Sequence, residues 1–573
     1  MSTTSPGRPV RKPPAGQGGS TQPESSTQPG STQPGGSTQP GGSTQPEGAG
    51  PPARPAVGWR ARTVRYVPVL AAAGVMTGFG LWGLTRDSAM GNDEVVSRWA
   101  ALLPLRQLAH LVRHVDAVHG LYYLLLHIWM VVGTSPTAMR VPSVLSMAAA
   151  AALIVIIGRK LTGSSWPGLF AGLIMAITPT ISYYAQTARS YAFVLTCVLA
   201  ATLVLLYALR AEAAGAPRKQ VTRWWLAYGV LVLLAGYLNE MSLLALIAHG
   251  VTVLLARYGR RAVAHWAATA AVCTVLVAPL VYVSVRESNV LAWVPRPGLR
   301  ALYTLYHDYF GATFWAPLLL ALCAAAALLP GMKWESRGAS RAGEAGREGG
   351  WWRGGITLPS VAVPLLVLPA AVLIIESLAG PPLYVDRYVL YGETGAALLA
   401  GAGLYRIGGW LARAARRPQA LWVPGIAVCV CALVLQIAPQ QRVRTPGSRL
   451  FNFGGPAFYV STHARPGDGV MFFPDFFRKA ELGYPVQFRD TRDFALAVPP
   501  SVARPFKGID KLFTAVRPLM LQHSRIWVIG KRPSASLPAG TLREASDTLL
   551  QNFTRIAVRG YRGMWVTLWQ RRP

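Results

Sequence analysis

Acidic side chains are scarce in this chain. Its 573 residues hold 24 Asp and Glu against 56 Lys and Arg, and the charged types together make up 14% of the sequence. Soluble domains usually carry about 25% charge, so the shortage excludes an ordinary soluble fold. With 52% hydrophobic residues and a mean hydropathy of +0.31, it indicates an integral membrane protein. Cysteine is scarce too. Cys197, Cys273, Cys323, Cys429 and Cys431 all fall in apolar runs, which excludes a disulfide framework or metal-type spacing and leaves core packing. The chain has no P-loop, so phosphate-loop nucleotide chemistry is not indicated. The net charge of +32 reads as topology and not as nucleic-acid binding. The basic residues lie mainly between apolar runs, where the positive-inside rule places them in cytoplasmic loops.

Three regions follow from composition. Residues 1–62 are rich in Pro, Gly, Ser, Thr and Gln, with Ser-Thr-Gln-Pro repeated five times between positions 20 and 46. They hold too little apolar area to offset ordering entropy and are expected to be disordered. The first apolar run begins only near Tyr66, too far from the start for a signal peptide. Arg54, Arg60, Arg62 and Arg65 precede it and are expected to hold the N-terminus in the cytoplasm.

Residues 63–437 carry runs at about 66–86, 141–158, 166–184, 190–209, 224–239, 241–256, 263–285, 312–330, 357–378, 386–406 and 420–437, near the roughly 17–25 residues a transmembrane helix needs. The run 121–133 is shorter and reads as a partial or re-entrant helix, which leaves Arg140 on the outer face. The expected architecture is an all-α polytopic membrane domain of about 11–13 transmembrane helices. In residues 438–573 the apolar stretches shrink to strand length, at Gly469–Phe473, Arg525–Gly530 and Gly563–Trp569. Helix-like segments lie near Phe477–Leu482 and Thr541–Phe553, so a small extracytoplasmic α/β domain is expected.

The clusters Arg159/Lys160, Arg210–Arg223, Arg257–Arg261, the loop 331–356 and Arg406–Arg417 read as cytoplasmic. The opposite face then receives the Asp93/Glu94 loop, Pro179–Tyr191, Asn239-Glu240, Arg286–Asp308, Pro381–Tyr388 and everything after residue 438. Ionisable groups at the membrane face of a polytopic protein are functional candidates. Asp93 and Glu94 could supply a general base, or a helix cap and first-turn acid. Asp116 and His119 precede Leu121–His127, where His119 either orients a phosphate or acceptor hydroxyl or ends an interfacial helix anchored by Tyr122 and Tyr123. Gln186, Arg189 and Tyr191 sit at an outer helix junction. An Arg there opposes the positive-inside bias, and a phosphate is the natural partner of its guanidinium fork. Arg387-Tyr388 repeats the pattern beside Asp386, and Glu240 either touches substrate or caps a helix. Trp293 and His307-Asp308-Tyr309 decorate another outer loop.

Together these segments resemble the GT-C glycosyltransferases, specifically the family 39-like bacterial relatives of protein O-mannosyltransferases and lipid A aminoarabinose transferases. The resemblance covers roughly residues 66–410. It rests on Asp93-Glu94, Asp116-x-x-His119 before Leu121–His127, Arg140-Val-Pro-Ser143, Pro179 followed by Tyr183–Tyr191, and Arg387-Tyr388. Two departures are Gly120-Leu121 in place of the usual prolines and Leu238-Asn239-Glu240 in place of a Thr-His-Tyr-like turn. The second bears on acceptor contacts.

The resemblance implies a polyprenyl-phosphate sugar donor such as polyprenyl-phospho-mannose and a glycan, lipid or protein acceptor at the cell membrane's outer face. It also implies Asp93 as base with Glu94 supporting it, Arg189 and Arg387 on the phosphate, and His119, Gln186 and Tyr191 lining the cavity. Some members of the wider superfamily use a divalent metal beside the loop carboxylates, which the resemblance leaves open. A lipid or glycan transporter or flippase is the competing reading, although the duplicated halves common in transporters are not evident. A non-catalytic scaffold is the third.

Overall fold

The computed structural model describes residues 59–85, 89–286, 293–329, 355–503, 506–532 and 541–573. The repeat-bearing tail to residue 58, residues 331–354 of the basic loop and positions 287–292 lie outside the described residues. The apolar runs become helices. In chain order these are α1 (Trp59–Leu81), then three short helices α2 (Asn92–Leu102), α3 (Leu105–Val112) and α4 (Gly120–Trp129), then α5 (Pro136–Thr162), α6 (Ser165–Ile177), α7 (Pro179–Ala185) and α8 (Tyr191–Ala213). They continue with α9 (Arg218–Leu238), α10 (Leu244–Ala256), α11 (Arg260–Arg286), α12 (Leu299–Phe310), α13 (Trp315–Leu328), α14 (Leu358–Ala379), α15 (Glu393–Ala414) and α16 (Val423–Arg442).

Among the described residues six helices are long and apolar enough to cross a membrane, or eight if each of two bent pairs is one span. The expected 11–13 counts the shorter helices as well. α4 has ten residues, too few to cross, in line with the partial helix expected there. The α6–α7 bend of 71° falls at Thr178-Pro179, where the pre-proline residue is driven out of the α region: Thr178 has ψ 121°. Sequence dictates other ends too. Ser135 caps α5, its side chain accepting from the Ala138 N–H, and Gly163 stops it in the left-handed region at φ 73°.

Small residues let the spans touch. A Cβ on Gly168 of α6 would lie 2.4 Å from the Val155 carbonyl oxygen of α5, whereas one on Gly74 of α1 would meet nothing within 4 Å. Gly168→Ala is therefore expected to lower stability by about 1–3 kcal/mol, the usual cost of overpacking, read as a fall in the thermal midpoint in detergent. Gly74→Ala should leave that midpoint unchanged or raised. Four cysteines are buried as expected, but Cys431 faces outward on α16. The residues 429 and 431 lie two apart on a helix, so only one of them can face the bundle.

Beyond α16 lie α17 (Gly454–His463), α18 (Lys479–Gly483), α19 (Phe513–Gln522) and α20 (Thr541–Asn552). The strands are β1 (Asp468–Phe473), β2 (Thr491–Asp493), β3 (Leu496–Val498), β4 (Ile509–Asp510), β5 (Arg525–Gly530), β6 (Phe553–Tyr561) and β7 (Met564–Arg571). A five-stranded sheet runs β2-β1-β5-β7-β6, and β3-β4 form a separate pair. β1 is parallel to β2 and β5, while β7 is antiparallel to β5 and β6. The fully buried Trp527 donates its indole N–H to Asp468 at 2.9 Å.

This domain is continuous with the membrane part. One buried cluster includes Met90 and Val95 of the first loop together with Phe477 and Tyr484 of the domain. The linker after α16 is clamped as well. Arg444 donates to the Trp82 carbonyl (2.8 Å), the Phe79 carbonyl (2.6 Å) and the Ser182 hydroxyl (2.6 Å). Arg449 donates to the Thr187 hydroxyl and the Gln186 carbonyl, both at 2.9 Å.

Candidate active site

The first turn of α2 carries Asp93 and Glu94, and successive helical side chains diverge by about 100°. Only one of them can face a cavity. Glu94 points inward, 1% exposed. Its carboxylate accepts twice from Arg140 (both 2.8 Å), from the Ala188 N–H (3.0 Å) and from the Gly91 N–H (3.2 Å), with Arg449 at 3.8 Å. Burial raises the Glu94 carboxyl, but Arg140 and Arg449 more than offset this and hold it down at about 2. Arg140, expected on the outer face, is 1% exposed and spans Glu94 and the Ala89 carbonyl (2.8 Å).

Asp93 points the other way, its side chain 32% exposed, with Arg189 Nη2 at 3.9 Å. Burial raises its carboxyl, while Arg189, Arg387 and His119 lower it further than that, so the net position is below the ordinary carboxylate range. A second carboxylate, Asp116, lies 3.8 Å from the same guanidinium nitrogen. Asp116 has φ 58°, a left-handed conformation that Asp tolerates better than most residues. It pairs with His119 Nδ1 (2.7 Å) and accepts a short hydrogen bond from the Tyr123 hydroxyl. Burial raises the Asp116 carboxyl, but His119, Arg189 and Tyr123 lower it more.

Arg189 joins these parts. It is 6% exposed and donates to the Tyr123 hydroxyl (2.9 Å) and the Ser97 hydroxyl (3.3 Å). Arg387 lies in the helical turn Asp386–Gly392 before α15. It donates to the Tyr191 hydroxyl at 2.9 Å and lies over the rings of Tyr191, Trp293 and Tyr388 at 5.8, 5.4 and 5.7 Å. Asp386 accepts from the Tyr184 hydroxyl (3.3 Å). Glu240 accepts from Ser284 at 2.7 Å through Oε1, while its Oε2 is buried with no partner among the described residues. His119 Nε2 and Arg189 Nε are in the same state, and such groups are costly to bury unmet.

The structure thus brings together Asp93, Asp116, His119, Arg189, Tyr191, Arg387 and Tyr388. Two expected members are spent elsewhere. Glu94 is occupied by Arg140, and the Gln186 amide donates to the Gly80 and Trp82 carbonyls (both 2.8 Å), tying the α7–α8 junction to the end of α1. Tyr122 and Tyr123, read as interface anchors, are 1% and 0% exposed. Sequence reasoning missed Tyr123 as a bridge between Asp116 and Arg189, and it missed Lys479. That lysine comes from the C-terminal domain and donates to Asn92 Oδ1 at 2.7 Å. Nothing in the local pattern marks it, since it lies 387 residues away along the chain. Among the described residues no group of three or more His, Cys, Asp and Glu is placed to hold a metal ion. Between Asp93 and Asp116 the cation present is the Arg189 guanidinium.

A family model described as dolichyl-phosphate-mannose-protein mannosyltransferase matches residues 120–284. No curated protein sequence matches the chain. Among solved structures, ArnT from Cupriavidus metallidurans in the apo state aligns at 14% identity with a TM-score of 0.51, covering 89% of this chain and 98% of that one. The same protein bound to undecaprenyl phosphate aligns at 13% identity with a TM-score of 0.51, covering 88% and 98%. The resemblance and fold class read from the sequence are borne out: this is a multi-span membrane protein with the fold of the GT-C glycosyltransferases and a small strand-containing domain at its C-terminal end.

Proposed function

We propose that the protein is a membrane glycosyltransferase that moves a sugar, mannose in the first instance, from a polyprenyl-phosphate donor to an acceptor at the extracytoplasmic face of the cell membrane. The observation that carries this reading is one carboxylate and two guanidiniums meeting from three distant segments. Asp93 lies 3.9 Å from Arg189 and within the field of Arg387. The family match supports a polyprenyl-phosphate sugar as donor, as does the lipid phosphate bound by the structurally similar ArnT.

In this reading Asp93 takes the proton of an acceptor hydroxyl as that oxygen attacks the anomeric carbon. The bond from that carbon to the phosphate oxygen breaks, and the lipid phosphate leaves with the electron pair. Arg387, held by Tyr191 and partly exposed, meets the charge growing on the departing phosphate, with Arg189 behind it. Asp116, His119 and Tyr123 hold Arg189 in place. The unmet His119 Nε2 and Glu240 Oε2 suit hydroxyl groups of a sugar or acceptor. Glu94 acts through Arg140 as a positioning residue.

The electrostatics add a consequence. A phosphate that engages Arg189 and Arg387 weakens their pull on Asp93, so donor binding makes the base more basic when it is needed. The free enzyme's Asp93 is depressed below its ordinary value of 3.8, so it stays ionised as pH falls from neutral. The acid limb of kcat/KM, which reports the free enzyme, should therefore lie below pH 3.8, leaving the profile flat between about pH 5 and 7. The acid limb of kcat, which reports the loaded enzyme, should lie higher. Identical limbs for both parameters would refute the coupling. The activity itself is tested by incubating membranes with radiolabelled polyprenyl-phospho-mannose and identifying the labelled product. A flippase would move the intact lipid and label no acceptor.

A further inference from the structure

Lys479 belongs to the C-terminal domain, yet its ammonium reaches the first turn of α2. α18, which it begins, packs directly on α2. The Arg98 guanidinium of α2 donates to the Gly483 carbonyl at 3.1 Å, and the Met90 N–H donates to the Tyr484 hydroxyl at 2.8 Å. The fit leaves no slack, since a Cβ on Gly483 would lie 2.9 Å from a methyl of Val95. The ammonium sits 4.5 Å from the centroid of the Phe476 ring and donates to Asn92 Oδ1 at 2.7 Å. Asn92 Nδ2 in turn donates to Asp93 Oδ1 at 3.2 Å.

The direction of this chain is chemically forced. An ammonium only donates, so it fixes which end of the Asn92 amide faces it. The NH2 end is then left facing the Asp93 carboxylate. We propose that Lys479 is a positioning residue of the active site: through Asn92 it aims the Asp93 carboxylate, so that the C-terminal domain completes the catalytic centre. This rests on the reading of Asp93 as the base.

The groups that face the ammonium are Asp93 of α2, Asp116, Arg189 beyond α7, and Lys507 of the domain itself. Lys507 is paired with Asp475 at 2.7 Å, and Glu481 shares the short helix of Lys479. Burial first, then Arg189 and Lys507, lower the ammonium, while Asp93 and Asp116 raise it, and the balance lies at about 8. Loss of its proton there would leave a neutral amine, a weaker donor that can also accept, so it would no longer fix which end of the Asn92 amide faces it. Arginine at this position keeps its charge at any accessible pH.

The test uses the full-length protein, with Asp93→Asn made alongside. Lys479→Met should lower kcat about tenfold or more, as a small misplacement of a reacting group does, with the donor KM unchanged. Lys479→Arg should restore much of it and carry the alkaline limb from near pH 8 to beyond pH 9. Asn92→Ala should lower kcat by a similar factor, and the double variant should be no worse than either single one, as expected for residues acting in series. Amide hydrogen exchange across residues 92–96 should be faster in Lys479→Met than in the wild type, a readout that needs no substrate. Wild-type kcat in Lys479→Met, losses that multiply in the double variant, or unchanged exchange would each overturn the proposal. An active Asp93→Asn protein sinks the base assignment instead. Inactive Asp93→Asn with fully active Lys479→Met sinks only the role of the lysine.

Discussion

Asp93→Asn is expected to cut sugar transfer by about 10²–10⁴-fold, the contribution typical of a positioned general base. The amide has the same shape but cannot take a proton. The fold should persist, because Asp93 is a partly exposed partner of Arg189 and not its anchor. Arg189 keeps Asp116 at 3.8 Å and the hydroxyls of Tyr123 and Ser97. The loss should fall on kcat, with little change in donor KM. Single-turnover transfer from a labelled donor in membranes measures it, with protein level and insertion checked in the same sample. Transfer within about threefold of wild type, well short of a general-base effect, would remove Asp93 from the mechanism.

Glu94→Gln should do something quite different, although the two residues are neighbours. Glu94 and Arg140 are each 1% exposed, and Arg449 is 3% exposed. Neutralising the carboxylate leaves those guanidiniums buried and under-compensated, which costs about 3–5 kcal/mol when a buried pair is broken. The damage should appear as a lower thermal midpoint in detergent, with activity falling because the protein unfolds.

The pH dependence follows from the sign of the shift. The Glu94 carboxyl falls from 4.5 to about 2 on folding, so its stabilising contribution is complete above pH 4.5 and is lost as pH drops toward 2. The substituted protein should lack that slope in the same window. A midpoint within a degree of wild type at neutral pH would show that the Glu94 charge is not what holds α2 to α5.

The two expectations differ because adjacent positions on a helix face different ways, and this is also why the site was only partly legible in the sequence. Charges standing alone in apolar surroundings, such as Arg189, Arg387 and the Asp93-Glu94 pair, are conspicuous because burial makes them costly. Which of two neighbouring acids meets the cavity depends on the roll of α2, and that is set by Arg140 from a different helix. Gln186 looked equally eligible beside Arg189, yet its amide satisfies carbonyls at the end of α1. Those orphan acceptors become visible only when α1 and α7 are placed together.

The fold was legible where hydrophobic runs are unbroken. Each run of the membrane part became helical, the run 166–184 as the bent pair α6 and α7, and the β1, β5 and β7 segments announced themselves by apolar stretches. β6 did not. It pairs with β7 along its length, but most of its residues are exposed, Arg555 and Arg559 among them. A strand with little to bury gives no alternating signal.

The arginine clamps on the linker set a limit on how this protein can be divided. A chain ended after residue 437 would leave the carbonyls of Phe79 and Trp82 and the hydroxyl of Ser182 without Arg444. It would strip Arg449 from the Thr187 hydroxyl and the Gln186 carbonyl, two and three residues before Arg189. The C-terminal domain is therefore no detachable appendage but a keystone. Cutting it away should free the very loops on which the proposed chemistry stands, and a helical bundle produced by itself should be slack at its mouth.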